Sequence, residues 1–149
     1  MPTTYYTAIE EVIEHLKGLV VAAQATTLSE VQHVGLADDA MIFDYPAVIF
    51  TGEPVITEIH GTHQFKNYFR VGIFVYHANM DDERSVRTKK DLELCTKIKT
   101  VLAADRTLTG KVVFGYITSI IPGTIRRPGN VVAIGSRLTW YAEALEPFS

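Results

Sequence analysis

Apolar and polar positions along this chain follow two different periods, and the changes of period divide it into elements. Ile9, Val12, Ile13, Leu16, Leu19, Val20 and Ala23 recur at helical spacing, with Glu10, Glu11, Glu14 and Lys17 mostly on the other side. That is one face of a turn of about 3.6 residues, and it predicts a helix. Thr3, Thr4 and Thr7 are candidate caps, and Thr7 with Glu10 has capping-box spacing. The early glutamates suit the positive end of the helix dipole. Gly18 weakens the helix without breaking it.

From Ala25 to His63 the pattern is broken and rich in turn residues. It predicts short strands at Glu30 to Val34, Ala47 to Thr51 and Val55 to His60. Asp38-Asp39, Asp44-Tyr45-Pro46 and Thr51-Gly52-Glu53-Pro54 punctuate them. A long strand starts at Phe65. Phe69, Val71, Ile73 and Val75 share one face, interrupted by Asn67, and Lys66, Tyr68, Arg70, Gly72, Phe74 and Tyr76 share the other. A polar turn from Asn79 to Arg84 leads into a second helix, with Asp81, Asp82 or Ser85 as its cap and Leu94, Cys95, Ile98, Val101 and Leu102 as its apolar stripe. This helix is predicted to run to about Ala104, and Gly110 ends the connection that follows.

Two strands close the chain, Val112 to Ile121 and Val131 to Leu145. In the second, Val132, Ile134, Leu138, Trp140, Ala142 and Ala144 share one face, and Arg137, Thr139, Tyr141 and Glu143 the other. Two Pro-Gly steps in Pro122 to Asn130 predict a loop, longer than a tight hairpin needs. The order helix, short strands, long strand, helix, strand, strand predicts one α+β domain over residues 1–149. Its sheet is mainly antiparallel or mixed, two helices pack on one face, and the closing strands form a hairpin arm.

Composition agrees with a packed core, at 47% hydrophobic and 21% charged residues. A domain of this length buries roughly 70% of the surface its unfolded chain exposes, so it needs no disulfide or metal to fold. With 14 Lys+Arg against 17 Asp+Glu, nucleic-acid binding by the surface as a whole is disfavoured, and a local patch stays open. The single cysteine, Cys95, forms no internal disulfide. No basic n-region precedes an apolar run and no membrane-length apolar stretch occurs, so the chain is expected to fold in a cytosol-like compartment.

Candidate chemistry is sparse. Of His15, His33, His60, His63 and His77, only His60-Gly-Thr-His63 forms a close pair. Glu58 lies nearby, but zinc needs three or four ligands and no second pair is present, so a strand end or turn explains both histidines. Cys95 among Leu94, Ile98 and Leu102 reads as a packed, inert thiol. Asp38-Asp39 and Asp81-Asp82 lack the acid ladder of a calcium loop and suit turns and caps. Ser119 and Ser136 lie in strands without a nucleophile elbow. Gly123, Gly129 and Gly135 have the wrong spacing for a phosphate loop. The expectation is a protein that is not an enzyme and carries no cofactor.

Two features stand out. Ile125, Arg126 and Arg127, between Pro-Gly turns, form either a plain exposed loop or a contact tip of an apolar anchor with arginines. Lys66, Tyr68, Arg70 and Tyr76 give the long strand a mixed second face, which is either covered by another element or is a subunit interface or lumen lining.

In length and order of elements the chain resembles the tail terminator (tail-completion) proteins of long-tailed bacteriophages. The likeness covers nearly the whole chain. It rests on the amphipathic opening helix, the aspartate-rich turn with Pro46-Ala47-Val48-Ile49-Phe50, and Phe69-Arg70-Val71-Gly72-Ile73-Phe74-Val75. It continues through Ile98-Lys99-Thr100-Val101-Leu102 and Ser136-Arg137-Leu138-Thr139-Trp140-Tyr141. The resemblance implies a non-enzymatic virion protein, made in the host cytoplasm. Such a protein forms a homo-hexameric ring on the tail tube, stops its polymerisation and docks the head. Its implied partners are the major tail tube protein and a head-completion or connector protein, with DNA contact where a basic loop reaches the channel and no membrane. The alternatives are another phage neck or head-tail joining protein of similar fold, and a small-ligand-binding α+β domain.

Overall fold

The computed structural model describes residues 5–36, 46–77, 84–127 and 131–147, apart from the side chains at 77, 84–88, 124–127 and 131–134. Two helices, α1 (Ile9–Ala23) and α2 (Arg84–Ala103), combine with strands β1 (His33–Leu36), β2 (Ala47–Gly52), β3 (Ile56–His60), β4 (Gln64–His77), β5 (Phe114–Arg127) and β6 (Val131–Pro147). The strands form one sheet in the order β1-β2-β4-β6-β5, with β3 paired to β4 off that path. β6 lines one edge of β4 from Gln64↔Pro147 to His77↔Ile134. β2 and β3 therefore share the other edge, β2 opposite residues 71–76 and β3 opposite residues 64–68. The β1–β2 pair is parallel and the other pairings are antiparallel. The α+β architecture expected from the hydrophobic periods is the one observed.

Alternation fixes which way the sheet faces. In β4, Asn67, Phe69, Val71, Ile73 and Val75 are buried, and in β6 so are Ser136, Leu138, Trp140, Ala142 and Ala144. The apolar ones among them meet Val12, Leu16 and Val20 of α1 and Leu94, Cys95, Ile98 and Leu102 of α2 in one core cluster. Both helices thus cover the same face. Burying side chains of this size contributes roughly 1.5–3 kcal/mol each, which fixes the register of β4 and β6. Trp140 lies close against the backbone of β5, where a Cβ on Gly115 would overlap its indole ring.

Several boundaries differ from the sequence expectation. Helix α1 has Ala8 as its N-cap with no side-chain cap bond, so Thr7 and Glu10 form no capping box. The preceding chain is instead held extended, the Tyr6 amide donating to the Lys111 carbonyl at 3.0 Å. Thr3, Thr4, Asp38, Asp39, Asp81 and Asp82 lie outside the described residues. Ser85 sits within α2, which begins at Arg84, rather than capping it. The first strand starts at His33, three residues later than Glu30.

The largest correction concerns the segment expected to be a loop. β5 continues through Pro122 and Gly123 to Arg127, so Ile125, Arg126 and Arg127 are strand residues. They pair with Ala133, Val132 and Val131. Proline is tolerated because β5 is an edge strand, where a missing N–H need not cost a ladder hydrogen bond. β4 ends at the pair His77↔Ile134, so the three β5–β6 pairs beyond it project as a two-stranded arm.

Candidate functional site

The face of the sheet away from the helices carries the chemistry. Residues opposite one another on adjacent strands share a face, so Tyr68, Arg70 and Phe74 of β4 stand beside Glu143, Tyr141 and Arg137 of β6. On β5, Phe114 and Tyr116 oppose Glu143 and Tyr141. A bulge between Ile117 and Ser119 shifts the register, after which Ser119 and Ile121 oppose Thr139 and Arg137. Without that extra residue Ile121 would turn towards the core, so the bulge keeps β5 aromatic and apolar on its outer side.

The rings form a continuous row across three strands. Phe114 and Tyr116 lie 5.4 Å apart, Tyr116 meets Tyr141 edge-on at 6.1 Å, and Tyr141 stacks with Tyr68 at 6.3 Å. Ile56 of β3, opposite Tyr68, continues the row and is 55% exposed, while Ile121 is 60% exposed. A second group lies towards the other end, where Phe74 stacks on Tyr76 at 6.1 Å and the Arg137 guanidinium sits 5.6 Å from the Phe74 ring. Ala47 and Ile49, opposite Tyr76 and Phe74, are buried, so this end is the more closed one.

Ion pairs brace the rings. Lys66 Nζ lies 3.0 Å from Glu143 Oε2, and the Tyr141 hydroxyl donates to Glu143 Oε1 at 2.9 Å. The Tyr68 hydroxyl donates to Glu58 at 2.8 Å, and Arg137 pairs with Glu53. The hydrogen bond to Glu143 raises the Lys66 ammonium, and the same bond holds the Glu143 carboxyl below its ordinary range. Burial, followed by the bond to Glu143, pushes Tyr141 up to about 12, and the bond to Glu58 raises Tyr68. These shifts move each group away from neutrality, so none is poised to exchange a proton at pH 7. Arg70 differs from its neighbours: it is exposed, lies opposite Tyr141 and has no carboxylate partner among the described residues.

Of the positions singled out in the sequence, Lys66, Tyr68, Arg70 and Tyr76 share this face. Ile125, Arg126 and Arg127 lie on the arm, which leaves the sheet next to Tyr76, since Tyr76, Gly135 and Gly123 are aligned across β4, β6 and β5. Phe114, Tyr116, Arg137 and Tyr141 complete the face and were not picked out. The available signal was the alternation of Arg137, Thr139, Tyr141 and Glu143. On β5 the bulge at Thr118 breaks the period and hides the corresponding set.

The remaining candidates fall elsewhere. His60 and His63 are exposed around the β3–β4 turn, and no group of three His, Cys, Asp or Glu converges to hold a metal ion among the described residues. Cys95 is buried beside Asp91 and Ser136, whose hydroxyl donates to Asp91. Burial and then the Asp91 charge push the Cys95 thiol up to about 12, opposite to what a nucleophile needs. A cleft of about 350 Å³ between α2 and the α1–β1 connection is bridged by Lys97 and Glu30 at 3.0 Å. Among the described residues, no helix is long and apolar enough to cross a membrane.

No protein-family model matches the chain, and no curated protein matches it in sequence. The functional reading therefore rests on the surface itself. Tyrosines with arginine on a half-exposed sheet platform have the composition of protein–protein contact regions, where aromatic rings supply area at low entropic cost.

Proposed function

We propose that this protein is a tail terminator of a long-tailed bacteriophage: a non-enzymatic ring subunit of the virion. The ring caps the tail tube, stops its polymerisation and offers the head-docking surface. The observation that carries this reading is the single-sided sheet. Both helices cover one face, and the other is left with an aromatic row and a projecting arm. A closed ring needs two different complementary patches on each subunit, and a domain so built has surface to spare for tube and head partners besides. The whole-chain resemblance in element order supports the same assignment, with a homo-hexamer as the assembly.

Adding the purified chain to polymerising tail tubes tests the proposal. A terminator caps tubes at one end and arrests growth, with rings visible by negative-stain electron microscopy. A head-side joining protein leaves tube growth unchanged, and that result would reassign the chain to the neck.

A further inference from the structure

We infer that the open sheet face of one copy docks on the solvent side of α1 in the next copy, with Arg70 set against Glu11 and Glu14. The choice of a second copy as occupant rests on the ring reading above and on charge complementarity.

The sheet face favours protein over nucleic acid. Three carboxylates, Glu53, Glu58 and Glu143, are bonded among its rings and neutralise Arg137 and Lys66. A nucleic-acid footprint needs an uncompensated basic stripe, and here Arg70, with Arg106 beside the Phe114 ring, stands among three fixed acids. The matching partner surface is apolar, fairly flat and carries a carboxylate.

The outer side of α1 has those properties. Glu11 and Glu14 are exposed and make no ion pair among the described residues. One turn on, at the same helical face, stand Gly18, Val21 and Ala22, all exposed, and Val21 is 46% exposed despite its apolar side chain. A Cβ at Gly18 would meet open space, so large rings can approach the backbone closely there. The acids lie at the N-terminal end of the helix and the small apolar residues beyond them. Arg70 against the first part therefore brings aromatic residues over the second. Since α1 packs on the opposite face of the sheet, one subunit can present both patches to two neighbours at once, the arrangement a heterologous ring requires.

The test is a mixing experiment followed by analytical ultracentrifugation. Wild-type chain is expected to self-associate. Arg70→Glu, or the milder Arg70→Ala if charge reversal disturbs β4, and Glu11→Arg/Glu14→Arg should each weaken association at least about tenfold. Circular dichroism should show that each stays folded. An equimolar mixture of Arg70→Ala with Glu11→Arg/Glu14→Arg should form dimers and nothing larger, because one intact patch of each kind remains and the altered pair has no opposite charges to rejoin it.

Four results would overturn the inference. One is a wild-type chain that stays monomeric at the highest concentration reached. Another is association unchanged by either variant. A third is a mixture that stays monomeric. Binding of a single-stranded oligonucleotide by Arg70 without self-association would overturn it too. Tube capping is read separately. Self-association through this pair with uncapped tubes sinks the terminator reading alone, and tubes capped normally by Arg70→Glu sink this contact alone.

Discussion

His15 Nε2 and Asp105 Oδ2 lie 2.9 Å apart, although 90 residues separate them in the chain. On its other ring nitrogen His15 meets the Tyr6 hydroxyl at 2.9 Å, and Asp105 also accepts the Thr109 amide at 2.8 Å. The relay ties the extended N-terminal segment, α1 and the α2–β5 connection to one another. It does so where the backbone is least comfortable, since Leu108 and Thr109 adopt left-handed φ values of 48° and 60°. That conformation costs roughly 1–2 kcal/mol per residue, and full burial of Leu108 offsets it. Tyr6 is raised by burial and then by Glu11 and Asp105, so the relay fastens segments and does not activate the hydroxyl.

A pH dependence follows from this link. Burial pushes the Asp105 carboxyl up, but the Thr109 amide and His15 together outweigh it and hold it below 3.8. A carboxyl depressed in the folded state stabilises above its unfolded pKa and loses that contribution as pH falls through the folded value. Asp105→Asn should cost on the order of 1 kcal/mol near pH 7. Melting curves from pH 7 to pH 2 should show the gap between wild type and variant closing on the acid side. A gap constant over that range would exclude a charged Asp105 as the anchor.

The contact between Trp140 and Gly115 sets a prediction about packing. Trp140→Ala removes the largest fully buried side chain and should destabilise the domain by roughly 3–5 kcal/mol. Gly115→Ala adds one methyl where the indole already lies, and should cost roughly 1–3 kcal/mol. Made in the Trp140→Ala background, Gly115→Ala should lose most of its penalty, because the clash is with that ring. Denaturant titration of the four chains checks this, and additive penalties would mean that the glycine is required for another reason.

Much of the fold was legible because burial enforces it. The faces of β4 and β6 were readable from alternate residues such as Val71, Ile73, Leu138 and Trp140, whose register a one-residue slip would invert. The arm was not readable as strand. Pro122 and the Pro-Gly steps are turn signals, and nothing local reveals that β5 is an edge strand able to absorb them. Half of the candidate site was visible, namely Lys66, Tyr68, Arg70 and Tyr76 on one strand. The other half depends on which strands become neighbours. Tyr141 joins Tyr68 through a pairing between distant segments, and a bulge sets which β5 residues fall beside them; neither leaves a local signature.

Cys95 gives a reactivity prediction. The side chain is fully buried and its thiol is pushed up to about 12, first by burial and then by Asp91. The thiolate is the reactive species, so native protein at pH 8 should resist a water-soluble disulfide reagent and take up one equivalent once denaturant is added. Labelling should track the unfolding transition. Rapid labelling of the native chain would place the thiol at the surface and break the packing of α2 on β6.

Arg126 and Arg127 lie on β5 beyond the last residue of β4, so the sheet does not support their segment on both sides. A two-stranded ribbon is marginal by itself, and an arm of this kind gains order from what it touches. Replacing both arginines with glutamate should change stability by no more than about 0.5 kcal/mol, because their backbone pairs only within the arm, beyond the end of β4. A protein of this size then melts within about 2 °C of wild type. Docking should respond quite differently, because arginines truncated or reversed at a contact often cost more than 1 kcal/mol, and charge reversal adds repulsion to the loss. Calorimetry of the isolated chain, set beside tube capping by the same preparation, separates the two effects. Unchanged melting with failed capping assigns the arm to a partner surface. Capping at the wild-type level removes the arm from the contact and leaves the aromatic sheet face to carry assembly without it.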